Sequence, residues 1–207
     1  MKILFIFLLS AVIIKADDHQ QEEAMRMSGR LFVISGPSGA GLNEIVGTVI
    51  DSRSDIGHVV PVTARKMKAG EVNGENFWFF ELEQWEEMKA SGDMLECIEF
   101  AGNDYGTSRH LVKEQLDAGK NVVLVLETER AAMLNRNMPE AVCVYMEPSD
   151  PVILKGIYEK SARNSVEVDV RMRHADEQRR ISLFCDKRIF TDDPQKAEEE
   201  LNALIDG

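Results

Sequence analysis

The sequence predicts an α/β fold built on a mainly parallel sheet, and three observations predict it. Short apolar, β-branched runs recur along the chain, segments with helical spacing separate them, and glycines stand where those helices should stop. With 207 residues, 44% hydrophobic and 29% charged, the chain is long and apolar enough to bury one core, which excludes a disordered tail.

Residues 1–16, MKILFIFLLSAVIIKA, pair an early lysine with an apolar run over 3–14 that only Ser10 interrupts. The run is shorter than the roughly 20 apolar residues of a membrane span. It fits the apolar region of a secretory signal peptide cleaved after Ala16. A short uncleaved anchor or a mis-assigned start would read the same way. Residues 17–28 are polar and aperiodic, as in a linker. On this reading the mature protein is secreted or held in the endoplasmic reticulum lumen, with no membrane span.

The first strand is predicted at 31–34, followed by a glycine-rich turn and a helix over 44–50. Further strands are predicted at 59–62, 122–126 and 141–146. Helices are predicted at 84–91, 108–118 and 128–137, with Gly92 and Gly119 closing the first two. Phe77, Trp78, Phe79 and Phe80 after Gly74 predict an aromatic strand inside a small β-rich subdomain. Residues 148–181 are charged and helical, and 196–205 form the last amphipathic helix.

A net charge of −12 argues against a nucleic-acid partner, which needs a basic face. Any phosphate site must be built locally. Three cysteines make no disulfide framework and leave at least one thiol unpaired; Cys97, Cys143 and Cys185 read as buried inert thiols. His19, His58, His110 and His174 are scattered, without zinc spacing or a nucleophile partner.

The turn is Gly36-Pro-Ser-Gly-Ala-Gly41, between strand and helix, where backbone N–H groups and a helix N-terminus cradle phosphate. Gly36, Ser38, Gly39 and Gly41 are its candidate phosphate residues. A nucleotide loop continues with Lys, which reaches the β- and γ-phosphates, and Ser or Thr, which binds Mg²⁺. Here Leu42 and Asn43 follow, then Glu44. Leucine neutralises no charge, so a tight turn without a ligand is as consistent with this loop as ATP binding.

GPSGAG at 36–41, TARKMKAGEVNGENFWF from Thr63 and MLECIEFAGNDYGTS from Met94 resemble the guanylate kinases, from about Arg30 to the C-terminus. The resemblance implies a P-loop nucleoside monophosphate kinase-like parallel core over 29–207, with a β-rich GMP-binding subdomain at about 61–108 and a helical lid at about 150–180. It implies that Arg65 and Lys68, the latter at an arginine position, hold the GMP phosphate with Tyr105. Phe77 stands at a tyrosine position. Glu96 and Thr107 would read the guanine base, and Glu127 replaces an aspartate. Of the lid arginines only Arg171 is kept, while Gly156 and Lys160 stand at the others; Thr191 replaces an asparagine near the adenine.

Arg65, Lys66 and Lys68 as a bare charge run would be a solvated surface; the resemblance makes them an anion site. Pro61 resembles the guanylate-kinase-like domains of membrane-associated scaffold proteins, which bind phosphorylated peptides. Phosphoryl transfer depends on cations around the phosphates. The sequence-based expectation is therefore a pseudoenzyme that binds GMP or a phosphorylated protein segment, its transfer impaired or lost. The alternative is an active guanylate kinase, converting ATP and GMP to ADP and GDP, with Arg171 and Lys160 as its catalytic cations. Magnesium and ATP are needed only in that second case.

Overall fold

The computed structural model describes residues 29–207. In chain order the elements begin with β1 (Leu31–Ser35), α1 (Leu42–Asp51), β2 (Ile56–Gly57), β3 (Val62–Thr63) and β4 (Trp78–Phe79). Next come α2 (Leu82–Ala90), β5 (Met94–Phe100), β6 (Asn103–Ser108), α3 (Arg109–Asp117), β7 (Asn121–Val125) and α4 (Thr128–Asn137). The chain ends with β8 (Val142–Glu147), α5 (Pro151–Ser161), α6 (Ser165–Ile181), β9 (Lys187–Phe190) and α7 (Pro194–Asp206).

β1 lies at the centre of a five-stranded sheet ordered β2-β7-β1-β8-β9, and every pairing in it is parallel. All five β1 residues are buried, and the first four are the continuous apolar run expected of a strand covered on both faces. The period of two divides them. Phe32 and Ile34 join Ile45, Val46 and Val49 of α1 and Leu201 of α7 in one cluster. Leu31 and Val33 join Val112 of α3 with Ala131 and Leu134 of α4 in the other.

The second sheet is ordered β4-β3-β6-β5. β5 and β6 form an antiparallel hairpin whose last pair, Phe100 with Asn103, leaves Ala101 and Gly102 as a two-residue turn. Both turn residues have positive φ, 51° and 71°, the twist that a tight hairpin demands.

Helix α4 ties the two sheets together. At its N-terminus, the buried hydroxyls of Thr128 and Ser35 bond at 2.9 Å, anchoring the helix to the end of β1. At its C-terminus, Asn137 Nδ2 donates to the Leu95 carbonyl in β5 at 2.8 Å.

Several expectations are corrected. The strand at 59–62 does not form: Ile56–Gly57 pairs with the edge of the main sheet instead, and Val62–Thr63 belongs to the second sheet. Pro61 between them has no N–H to give a ladder, and its carbonyl accepts from Trp78 N. The aromatic strand shortens to Trp78–Phe79. Residues 148–181 are two helices, with Asn164 capping the second by accepting from Glu167 N. Cys143 and Cys185 are not free thiols: they are joined as a disulfide between neighbouring segments whose Cα atoms are 4.5 Å apart, leaving Cys97 as the free cysteine.

The signal peptide and linker expected over 1–28 lie outside the described residues. Among those described, no helix is long and apolar enough to cross a membrane.

Candidate active site

The glycine-rich turn leaves the C-terminal end of β1 and enters α1 at Leu42. Gly36 passes so close to β8 that a Cβ there would collide with the Met146 carbonyl. Gly41 caps α1 at φ 80°, a left-handed conformation that side chains resist. The N-terminus of α1 therefore opens onto a cavity of about 490 Å³. Residues 36–44 line it, together with Glu127, Arg130, His174 and Gln178. The fold thus brings the predicted Gly36, Ser38, Gly39, Gly41, Leu42 and Asn43 to one wall, and Glu127, at the N-cap of α4, to another.

Leu42 is 8% exposed and belongs to the core cluster around β1. The position that carries no charge thus contributes packing instead. Among the described residues no group of three or more metal-binding side chains assembles.

Arg171 reaches the loop from α6. Its guanidinium lies 3.9 Å above the Tyr158 ring, Nη1 donates to Ser161 Oγ at 2.8 Å, and Nη2 comes within 4.0 Å of where a Cβ would stand on Gly39. Lys160 is exposed and does not line the cavity.

On the second sheet, Thr63 and Tyr105 are paired neighbours. The Thr63 hydroxyl accepts from Arg65 N at 3.1 Å, which sets the start of the loop after β3. Arg65 Nε donates to Tyr105 Oη at 3.2 Å, and Nη1 and Nη2 reach Glu71 Oε2 and Oε1 at 2.9 and 2.7 Å. The rings of Phe77 and Phe79 lie 5.4 and 5.3 Å from the guanidinium carbon, and Phe77 packs on Tyr105. Arg65 and the Lys68 backbone N–H hold the Glu71 carboxyl at about 2, well below the usual range. The Lys68 side chain is exposed.

Glu96 and Thr107 face each other across the hairpin. Thr107 Oγ1 donates to Glu96 Oε1 at 2.6 Å, and both residues are buried. Arg130 grips the same carboxylate. Reading the sequence missed Arg130, because its partner is 34 residues away and nothing local marks the pair. It missed Gln178 as well, whose Oε1 is buried without a partner beside the cavity. Thr191 lies on the far side of the loop, on a smaller cavity of about 110 Å³ with Gly41 and Glu198.

Residues 28–207 match the family described as Guanylate kinase. The chain is 34% identical to the guanylate kinase of Lactococcus lactis over 183 residues, 88% of this chain and 89% of that one. It is 33% identical to that of Trichormus variabilis over 181 residues, 87% and 91% of the two chains. The solved guanylate kinase of Anaplasma phagocytophilum shares the fold, with a TM-score of 0.61 at 20% identity over 87% of this chain and 86% of that one.

Two expectations fall with these findings. The pseudoenzyme that only binds GMP or a phosphorylated segment is overturned, because relatives alike over nearly their whole length are guanylate kinases. The sequence-based expectation weighed Leu42, Asn43, Gly156, Lys160 and Thr191 against a kept Arg171, and did not count Arg130, which folding brings to the cavity of the same loop. The secreted or lumenal address is corrected too: the relatives that this chain matches over most of its length are bacterial guanylate kinases.

Proposed function

This chain belongs to the guanylate kinase family, and from that premise we propose that it transfers the γ-phosphoryl group of ATP to GMP, giving ADP and GDP. The reading is carried by one observation: α4 links a phosphate-cradling loop to a second sheet with a buried carboxylate and a buried-edge arginine, Glu96 and Arg65.

In this reading the region of about 61–108 holds GMP. Arg65 exchanges its fork from Glu71 to the GMP phosphate, an equivalent planar acceptor, with Tyr105 donating beside it. Lys68 adds charge from the exposed rim. Phe77 supplies a ring against Tyr105 rather than a hydroxyl. Glu96 and Thr107 read the base.

The loop from Gly36 to Gly41 holds the ATP phosphates through backbone N–H groups and the α1 dipole. Helices α5 and α6, within about 150–180, close over it, and Arg171 neutralises charge on the transferred group. Lys160 would join only when those helices close.

The donor set beside the loop suits magnesium, a hard cation content with one or two protein oxygens plus water and phosphate. Asn43 and Glu127 would hold it, and when bound it would offset charge on the phosphates.

A coupled assay of ADP release tests this directly. Turnover that requires both ATP and GMP is expected; a folded sample that forms no GDP from the two with magnesium would overturn it.

A further inference from the structure

Glu96 is 1% exposed, and Arg130 occupies both of its oxygens: Nε donates to Oε2 at 2.6 Å and Nη2 to Oε1 at 2.8 Å. Thr107 adds a third donor at Oε1. A carboxylate engaged in this way has no room for a second two-pronged partner. The Nε–H and Nη2–H of arginine are parallel donors on one planar edge. The N1–H and N2–H of guanine present the same paired edge, so base and arginine are alternative occupants of one carboxylate.

Arg130 has a second neighbourhood. It stands on the first turn of α4, where the Ser35–Thr128 bond fixes the helix against the end of β1, and it lines the cavity of the phosphate loop. Its Nη1 makes no hydrogen bond among the described residues, and its side chain is 23% exposed. Beside it, position 42 is a leucine that faces the core.

We propose that guanine displaces Arg130 from Glu96, and that the released guanidinium turns to the phosphates in the cavity, supplying the charge that Leu42 does not. Without nucleotide, Arg130 keeps a buried carboxylate paired, which an isolated Glu96 could not be. With GMP bound, recognising the base frees the cation that transfer requires. A purine offering one donor at that edge, as inosine monophosphate does, displaces the fork poorly and recruits the cation poorly. This inference rests on the guanylate kinase reading above.

The test compares wild type, Arg130→Met and Arg130→Lys by GMP titration calorimetry at pH 8 without ATP, by steady-state kinetics with GMP and IMP, and by thermal unfolding. In Arg130→Met, removing the competitor should tighten GMP about tenfold. At the same time kcat should fall on the order of 10²-fold. The ratio of kcat for GMP to kcat for IMP should collapse towards one. Arg130→Lys keeps a cation without the fork, so GMP should bind more tightly while kcat stays nearer wild type.

Folded variants that bind GMP more weakly than wild type, or an Arg130→Met that keeps wild-type kcat, overturn the proposal. If Arg130→Met does not fold, the lysine variant decides alone. If wild type forms no GDP, the kinase reading fails, and the GMP titration still decides the exchange at Glu96.

Discussion

Arg65 and Glu71 form a two-pronged ion pair, with both guanidinium nitrogens on both carboxylate oxygens at 2.9 and 2.7 Å. Glu71 occupies the arginine as a phosphate would. Its carboxyl sits at about 2 in the folded protein against an ordinary 4.5, so between those values the unfolded chain binds more protons. The stability that this pair contributes is therefore fully present above about pH 4.5 and is lost as pH falls towards 2. Denaturant titrations at pH 6, 4 and 3 should show Glu71→Gln with a flatter acid limb than wild type. Parallel limbs would mean that other carboxylates set the acid sensitivity.

Leu42 was exchanged for packing, and the exchange should reverse. Leu42→Lys with Asn43→Ser places a cation and a hydroxyl at the head of α1. We expect kcat to rise by about tenfold. That is less than the 10²–10³ of one aimed donor elsewhere, because Arg171 already reaches the loop. Removing a buried leucine from the cluster should lower unfolding free energy by about 1.5–3 kcal/mol. Kinetics and urea unfolding on one preparation measure both. A faster enzyme with unchanged stability would show that the leucine does not pack as its burial implies.

The hairpin that carries Glu96 and Thr107 turns on Ala101 at φ 51°, where a Cβ is costly. Ala101→Gly should stabilise the protein by about 1 kcal/mol, read as a higher urea midpoint with unchanged slope. KM for GMP should not change, since the turn is exposed and the pair lies at the other end of the hairpin. A lower midpoint would mean that the turn is relaxed and glycine's entropy dominates.

What could be read from the chain and what could not divide along a physical line. The run from Leu31 to Ile34 announced itself, because a strand buried on both faces is built mostly from apolar residues. Glycines 92 and 119, at φ 77° and 75°, marked real helix ends. β5 and β6 were hidden because one face of the hairpin builds a polar site, which puts Glu96 and Thr107 where alternating apolar residues would have shown. β9 was hidden by Lys187 and Arg188, the latter paired with Glu147 and stacked on Tyr145. Arg65, Glu96 and Tyr105 were singled out through the resemblance. Arg130 and Glu71 were not, because each matters through a partner that only the fold brings near.

Arg171 is held before any substrate arrives: Tyr158, 2% exposed, supplies the ring beneath it, and Ser161 one end of its fork. An arginine so fixed loses little further freedom when a phosphoryl group comes between it and Gly39. Arg171→Ala should therefore lower kcat by about 10²–10³ while leaving KM for GMP nearly unchanged. Its cost in stability should be small, about 0.5–1 kcal/mol for the lost stacking. Tyr158→Leu should do the converse, lowering stability more while retaining part of the rate, since the cation remains but is less well placed. The two substitutions separate charge from support. A loss of rate in Arg171→Ala that merely follows a loss of folded protein would assign this arginine to packing α6 against α5.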